Sequence, residues 1–232
     1  SDHLTTAKVW YRLLNCGFRI PAGAGTDAMT NYASLRGPVG LNRVFVKTTA
    51  PGHAGFLAGL KAGRTFATNG PLLTFTVNGR EPGGDVRLPA GRHRLRIRAE
   101  MTSIVPVDRL EVVSGGIVVV TIPLGGDRTR ATAELDVAAT GSGWYTLRAW
   151  SDHATPPLLD IYPFATTSPV YLTVGDEPVR SPDDARYFLA WIDRVSTAAR
   201  EHPGWNTDAE RTHALAQIAR ARAEFERRGG RE

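Results

Sequence analysis

The stretch Leu72-Leu73-Thr74-Phe75-Thr76-Val77-Asn78-Gly79 alternates apolar and polar side chains and then ends in a turn pair. Leu73, Phe75 and Val77 recur at period two, which is the spacing of a strand with one buried face. Asn-Gly is the pair that favours a two-residue hairpin turn. The stretch therefore predicts a β-strand followed by a hairpin, and it marks the start of a β-rich region.

The same strand signals recur as far as residue 174. Further strands are predicted at residues 94–100, 110–113, 117–122, 131–137, 143–150 and 170–174. About seven short strands separated by Gly, Pro and Asp turns are typical of an immunoglobulin-like antiparallel β-sandwich. We expect residues 71–178 to form this sandwich, without a disulfide, because Cys16 is the single cysteine of the chain.

Residues 179–232 are predicted to form a helical hairpin. Ser181 and Pro182 supply an N-cap and a proline at the first helical position. Thr207 and Glu210 have the spacing of a capping box, which begins a second helix. We expect the two helices to pair and to pack on the N-terminal segment, with packing on the sandwich as the alternative.

Residues 1–70 are predicted to form a small α/β segment. A helix ends at Gly17, a short strand follows at residues 18–21, and the loop Gly25-Thr26-Asp27-Ala28 comes next. A strand near residues 43–47, a helix at 53–62 and a strand at 64–68 complete the segment. A carboxylate just after a strand is a common place for a metal ligand or a catalytic acid, whereas an aspartate can also cap the next turn.

Several stretches of this chain, taken together, resemble a known enzyme family. They are residues 11–21, 25–28, 40–46, 59–71 and 185–193. They are similar to the C-terminal part of the carbaryl-hydrolase-like metallohydrolases of the polymerase-and-histidinol-phosphatase (PHP) superfamily. In that family the Gly-Thr-Asp aspartate binds a metal at the close of a distorted barrel, so the resemblance implies that Asp27 is a metal ligand.

The resemblance also implies a pocket and a cofactor. Asn31 and Arg43 would line the substrate pocket, and the parent enzyme would bind a divalent zinc, manganese or iron ion. The family's His-x-His pair, and the Glu and His that follow it, have no counterpart here, and Met29 stands where related enzymes often have a histidine. A catalytic metal needs about three protein ligands. The chain taken alone could therefore be without a bound metal.

Two functions follow as expectations. The first is that the chain is the C-terminal portion of a bacterial metal-dependent hydrolase that cleaves an ester, carbamate or phosphoester, and is not catalytic alone. Its partners would be the missing N-terminal barrel and a small-molecule substrate. The alternative is a non-catalytic immunoglobulin-like accessory or protein-interaction module. Apolar surface left by a missing barrel could also drive formation of a homo-oligomer.

Charge and composition exclude other classes of partner. The 232 residues carry a net charge of +5, and the arginines are scattered. Nucleic-acid binding would require a basic stripe with interleaved aromatics or a known module signature, so no nucleic-acid partner is expected. No apolar run reaches the length of a membrane span. No signal peptide is visible, so we expect a soluble chain whose compartment the sequence leaves open.

Overall fold

The structure, a computed structural model, describes residues 2–29, 37–158 and 161–230. Within them the chain is mixed α/β, and most of its secondary-structure elements are strands. The helices are α1 (His3–Asn15), α2 (Gly52–Lys61), α3 (Pro182–Glu201) and α4 (Asp208–Gly229). The strands are β1 (Arg43–Val46), β2 (Thr65–Thr68), β3 (Leu72–Val77), β4 (Asp85–Leu88), β5 (His93–Thr102), β6 (Arg109–Ser114), β7 (Ile117–Ile122), β8 (Arg130–Ala139), β9 (Gly143–Trp150), β10 (Phe164–Thr167) and β11 (Val170–Val174). No helix among these residues is both long and apolar enough to cross a membrane.

The chain divides into two compact units. The β unit comprises Ser1–His3 and Arg19–Glu177, and the helical unit comprises Leu4–Phe18 and Pro178–Glu232. The expected boundary after residue 70 lies inside the β unit, because β2 pairs with β10 far along the chain. The expected boundary after residue 178 lies one residue from the second division.

The larger sheet of the β unit is built around β9. One edge of β9 pairs with β6, which pairs with β7. The other edge pairs with β10 and then with β11, and these two strands pair with β2 and β4. β1 lies outside β2. All of these pairs are antiparallel except β4 with β11.

The smaller sheet has the order β3-β5-β8, and its two pairs are antiparallel. Leu73, Phe75 and Val77, the residues of the opening alternation, are all buried. They belong to one hydrophobic cluster with Leu110, Val112, Tyr145, Leu147 and Ala149 of the larger sheet. Alternation along single strands thus correctly identified the inner faces of both sheets.

Three local predictions were wrong. Residues 18–21 form no strand. Strands β4 and β10 form where none was predicted, because each is short and is held by pairing with distant strands. The Asn78-Gly79 turn exists, with mutual backbone hydrogen bonds between Val77 and Arg80 at 2.9 Å. However, β3 pairs with β5, so the turn closes no long hairpin.

The helical unit confirms the capping predictions. Ser181 Oγ accepts a hydrogen bond from Asp184 N, and Thr207 Oγ1 accepts one from Glu210 N. The Glu210 carboxylate in turn accepts from Asn206 N, one residue before the N-cap position of a regular capping box. Gly17 follows α1 with φ 77°, a left-handed conformation that suits glycine. The core of the unit joins α1 to α3 and α4, as expected for packing on the N-terminal segment. Its buried residues are Cys16, Ala185 and Phe188, and burial raises the pKa of the Cys16 thiol to about 11.

Candidate functional site

The segment that leads to Asp27, residues 19–29, forms no helix or strand, yet side chains hold it to the β unit at three points. At the first point, Arg19 donates two hydrogen bonds to the Asp85 carboxylate, at 2.7 and 3.0 Å. Its guanidinium lies 3.9 Å from the centre of the Tyr171 ring. The hydrogen bond to Asp85 raises the pKa of Arg19, and burial raises the pKa of Tyr171 to about 12. Arg19 therefore remains a cation in this contact.

The second anchor is the backbone of Ala22. Its N–H donates to Ser168 Oγ at 2.8 Å, and its carbonyl accepts from Thr65 Oγ1 at 2.7 Å. Both side chains are buried, and their hydroxyl oxygens lie 2.6 Å apart. Two hydroxyls thus satisfy the backbone groups that a neighbouring strand would otherwise pair.

The third anchor is Thr26. Its Oγ1 accepts a hydrogen bond from Asn42 N at 2.9 Å and donates one to Asn42 O at 3.0 Å. A hydroxyl can do both at once because it is both a donor and an acceptor. The pair ties the segment to the residue just before β1.

Asp27 follows this third anchor directly. Its backbone has φ 56°, in the left-handed region that Asp and Asn adopt more readily than other non-glycine residues. Its side chain is exposed. Asp27 is therefore an exposed residue at the end of an anchored backbone segment.

The described residues do not by themselves fit a complete metal centre. Across residues 2–29, 37–158 and 161–230, no group of three or more His, Cys, Asp or Glu side chains could hold a metal ion. A catalytic metal site typically uses about three protein ligands. Asp27 can therefore supply one ligand, and the others would have to come from outside the described part of the chain.

The two expected pocket residues have different outcomes. Asn31 lies outside the described residues. Arg43 Nη1 donates to the carbonyls of Gly40 and Leu41, at 2.9 and 3.3 Å. The Thr26–Asn42 pair brings the chain at Arg43 beside the chain at Asp27, while the guanidinium itself holds the turn before β1.

Sequence reasoning missed a groove on β1, β2 and β3, to which Phe45, Arg64 and Phe66 contribute. The signal was present as a repeated pattern. Residues 43–45 read Arg-Val-Phe and residues 64–66 read Arg-Thr-Phe, and the two phenylalanines are partners across β1 and β2. An aromatic at matched positions of two adjacent strands predicts a paired aromatic surface.

Comparisons with models of protein families, with curated proteins and with solved structures found no match to this chain. Among the described residues, the most specific arrangement near a predicted site residue is the three-point anchoring that ends at Asp27.

Proposed function

We propose that the chain is the C-terminal portion of a bacterial metal-dependent hydrolase of the carbaryl-hydrolase-like type, with Asp27 as one ligand of a divalent metal. The observation that carries this proposal is the anchored segment, which ends in an exposed carboxylate. A ligand that must meet others from elsewhere in a protein binds better when its backbone is already held in place. Anchors at Arg19, Ala22 and Thr26 provide that support.

In this proposal the β unit is a scaffold for a single ligand. Asp85 of β4, Thr65 of β2 and Ser168, which lies between β10 and β11, supply the anchoring partners. The remaining ligands, and the barrel that carries them, come from outside the described residues. The bond cleaved in the parent enzyme is an ester, carbamate or phosphoester, and the metal is zinc, manganese or iron.

We further propose that the β unit is an immunoglobulin-like sandwich. The three-stranded sheet β3-β5-β8 and the larger sheet around β9 contribute side chains to one core, which supports this arrangement. Successive strands β3 and β4 belong to different sheets, and β4 runs parallel to the late strand β11. A chain that changes sheets near its first strand is compatible with a sandwich of this type.

The test is the metal content of the native polypeptide that contains these 232 residues. Metal per chain is measured by elemental analysis, and metal affinity by titration, for the wild type and for Asp27→Asn, which removes the charge at nearly constant volume. Asp176→Asn is the matched control, because Asp176 is an exposed aspartate in the turn after β11. We expect Asp27→Asn to lower metal affinity by about tenfold or more, since losing a ligand costs at least as much as losing its supporting residue. Equal affinity in Asp27→Asn and the control would contradict the proposal.

A second candidate is a non-catalytic accessory or interaction module. The observation in its favour is that the groove on β1, β2 and β3 is lined entirely by residues of the β unit. A unit with its own groove can bind a partner or ligand without a metal. This function predicts that Asp27→Asn changes neither metal content nor binding at the groove.

A further inference from the structure

We propose that the groove on β1, β2 and β3 binds a small monocarboxylate with a flat apolar body, whose carboxylate pairs with Arg64. This inference is independent of the metal site proposed for Asp27. The groove has a volume of about 340 Å³, which is at the small end of ligand pockets.

The groove results from unequal sheets. The smaller sheet ends at β3, whereas the larger sheet continues past β10 to β2 and β1. The inner side of β1 and β2 consequently extends beyond the strands that cover the rest of the core. Phe45 and Phe66 line the groove from the larger sheet, and Leu73, Thr74 and Phe75 line it from β3.

The groove has an aromatic wall. The rings of Phe45 and Phe66 stack with centroids 4.9 Å apart and planes 7° apart. Phe45 is 41% exposed, so its ring is partly in contact with solvent. The inner faces of the stacked rings cover each other, so the stack offers the outer face of the exposed Phe45 ring and the ring edges, against which an apolar or aromatic group loses water favourably.

Arg64 supplies a cation with unused hydrogen-bonding capacity. Its backbone is fixed, since Lys47 N donates to Arg64 O at 2.8 Å and Arg64 N donates to Gly59 O at 3.1 Å. Its side-chain Nε is buried and has no acceptor among the described residues. Arg64 itself lines the groove, and a carboxylate is the acceptor that the planar guanidinium matches best.

The other two charges of the groove restrict the ligand. Lys47 pairs with Glu81 across the rim, so these two charges compensate each other and Arg64 is the remaining cation among the groove's lining residues. One carboxylate balances that cation, whereas a second negative charge on a ligand would have no partner there. The groove should therefore select a monoanion over a dianion or a phosphate monoester, with the charge at Arg64 and the apolar body on Phe45 and Phe66.

The first experiment compares hydrocinnamate with its uncharged amide, hydrocinnamamide, on the wild-type chain. Binding is measured by amide chemical-shift titration, and the signals of residues 45–47, 64–66 and 73–75 report the location. We expect hydrocinnamate to shift these signals with at least about tenfold higher affinity than the amide, as a charge-assisted hydrogen bond implies. Equal affinity, or no shift at these residues, would overturn the proposal.

Variants then test the residue assigned to the carboxylate. Arg64→Gln should weaken hydrocinnamate binding by about tenfold or more, and Arg64→Lys should weaken it less because the charge remains. Arg98→Gln is the control, since Arg98 is an exposed arginine of β5 paired with Glu134, and it should bind as the wild type does. Circular dichroism melts check that each variant is folded. An Arg64→Gln chain that is folded and binds normally would contradict the assignment.

A third arm distinguishes a free metabolite from a peptide end, because a C-terminal phenylalanine presents similar chemistry. The probe is the peptide N-acetyl-Ala-Ala-Phe with a free carboxylate. Hydrocinnamate binding at least as tightly as this peptide supports the small-molecule assignment. A peptide that binds about tenfold tighter would replace it with recognition of a protein C-terminus.

Discussion

The β unit and the helical unit are stabilised in different ways. In the β unit, Leu95, Ile97 and Leu147 are completely buried within one large core. The core of the helical unit is small, and Trp191 on α3 is 42% exposed. Ion pairs such as Arg12 with Asp184, at 2.5 Å, add to that small core. The unfolding free energy of the β unit should therefore depend mainly on how well its core is filled. That of the helical unit should depend on its ion pairs as well.

The largest expected effect is Leu95→Ala in β5, compared with Leu13→Ala in α1. Leu95 is 0% exposed, whereas Leu13 is partly buried. We expect losses of unfolding free energy of about 4 kcal/mol for Leu95→Ala and about 2 kcal/mol for Leu13→Ala, since the cost grows with the cavity left behind. Urea unfolding followed by NMR signals of each unit measures both. Equal losses would remove the distinction between the two cores.

Gly83→Ala tests how closely the backbone segments of the β unit approach each other. A Cβ on Gly83 would lie 2.1 Å from the carbonyl oxygen of Ala62, and its φ is 83°. We expect a loss of about 2 kcal/mol or more, from the strained conformation and the contact together. Gly79→Ala is the matched control, because Gly79 has φ 75° but no atom near its Cβ position. Its expected loss is about 1 kcal/mol. Indistinguishable melts for the two variants would show that this close approach does not limit stability.

Two adjacent aspartates test the role of charge in the helical unit. The Asp184 carboxylate is largely buried and accepts hydrogen bonds from Arg12 at 2.5 Å and from Asn15 at 2.8 Å. We expect Asp184→Asn to lower the unfolding free energy by about 1–2 kcal/mol. Asp183→Asn should cost about 0.5 kcal/mol or less, because Asp183 pairs with Arg186 at the exposed surface. Thermal melts should show a larger loss of stability for Asp184→Asn than for Asp183→Asn. The reverse order would contradict this account of the helical unit.

The smallest expected effect is a pH dependence of α4. Hydrogen bonds from Arg227 and then Arg228 lower the pKa of Glu224 from an ordinary value near 4.5 to about 2. A carboxyl group with a lowered pKa stabilises the fold above its unfolded-state pKa, and that contribution disappears as the pH falls through the folded-state value. Helix content should therefore decrease between pH 4.5 and 2. Circular dichroism on Glu224→Gln, where this part of the decrease should be absent, is the check.

Local patterns predicted the parts of the fold that depend on neighbouring residues. Alternation located β3, β5 and β9, and N-cap residues located the beginnings of α3 and α4. Pairing between distant segments was not accessible in the same way. β4 and β10 exist because β11, β9 and β2 lie beside them, and no property of four residues specifies that environment.

The candidate site shows the same limit. The Gly-Thr-Asp motif drew attention to Asp27, but the expected strand before it does not form. Buried hydroxyls of Thr65 and Ser168 replace the strand partner of that segment. The repeated Arg-x-Phe pattern is visible in the sequence, but it does not show the groove itself. The groove forms where the larger sheet extends beyond the smaller one, which depends on the number of strands in each sheet.

The most direct measurement of the central claim, that the β unit positions Asp27 for a metal, uses Thr26. Thr26→Val removes both hydrogen bonds to Asn42 without changing Asp27 itself, and Thr26→Ser keeps the hydroxyl. Metal affinity of the native polypeptide is measured by titration for each variant. The account predicts about tenfold weaker binding for Thr26→Val and nearly normal binding for Thr26→Ser. Normal binding in Thr26→Val would contradict it.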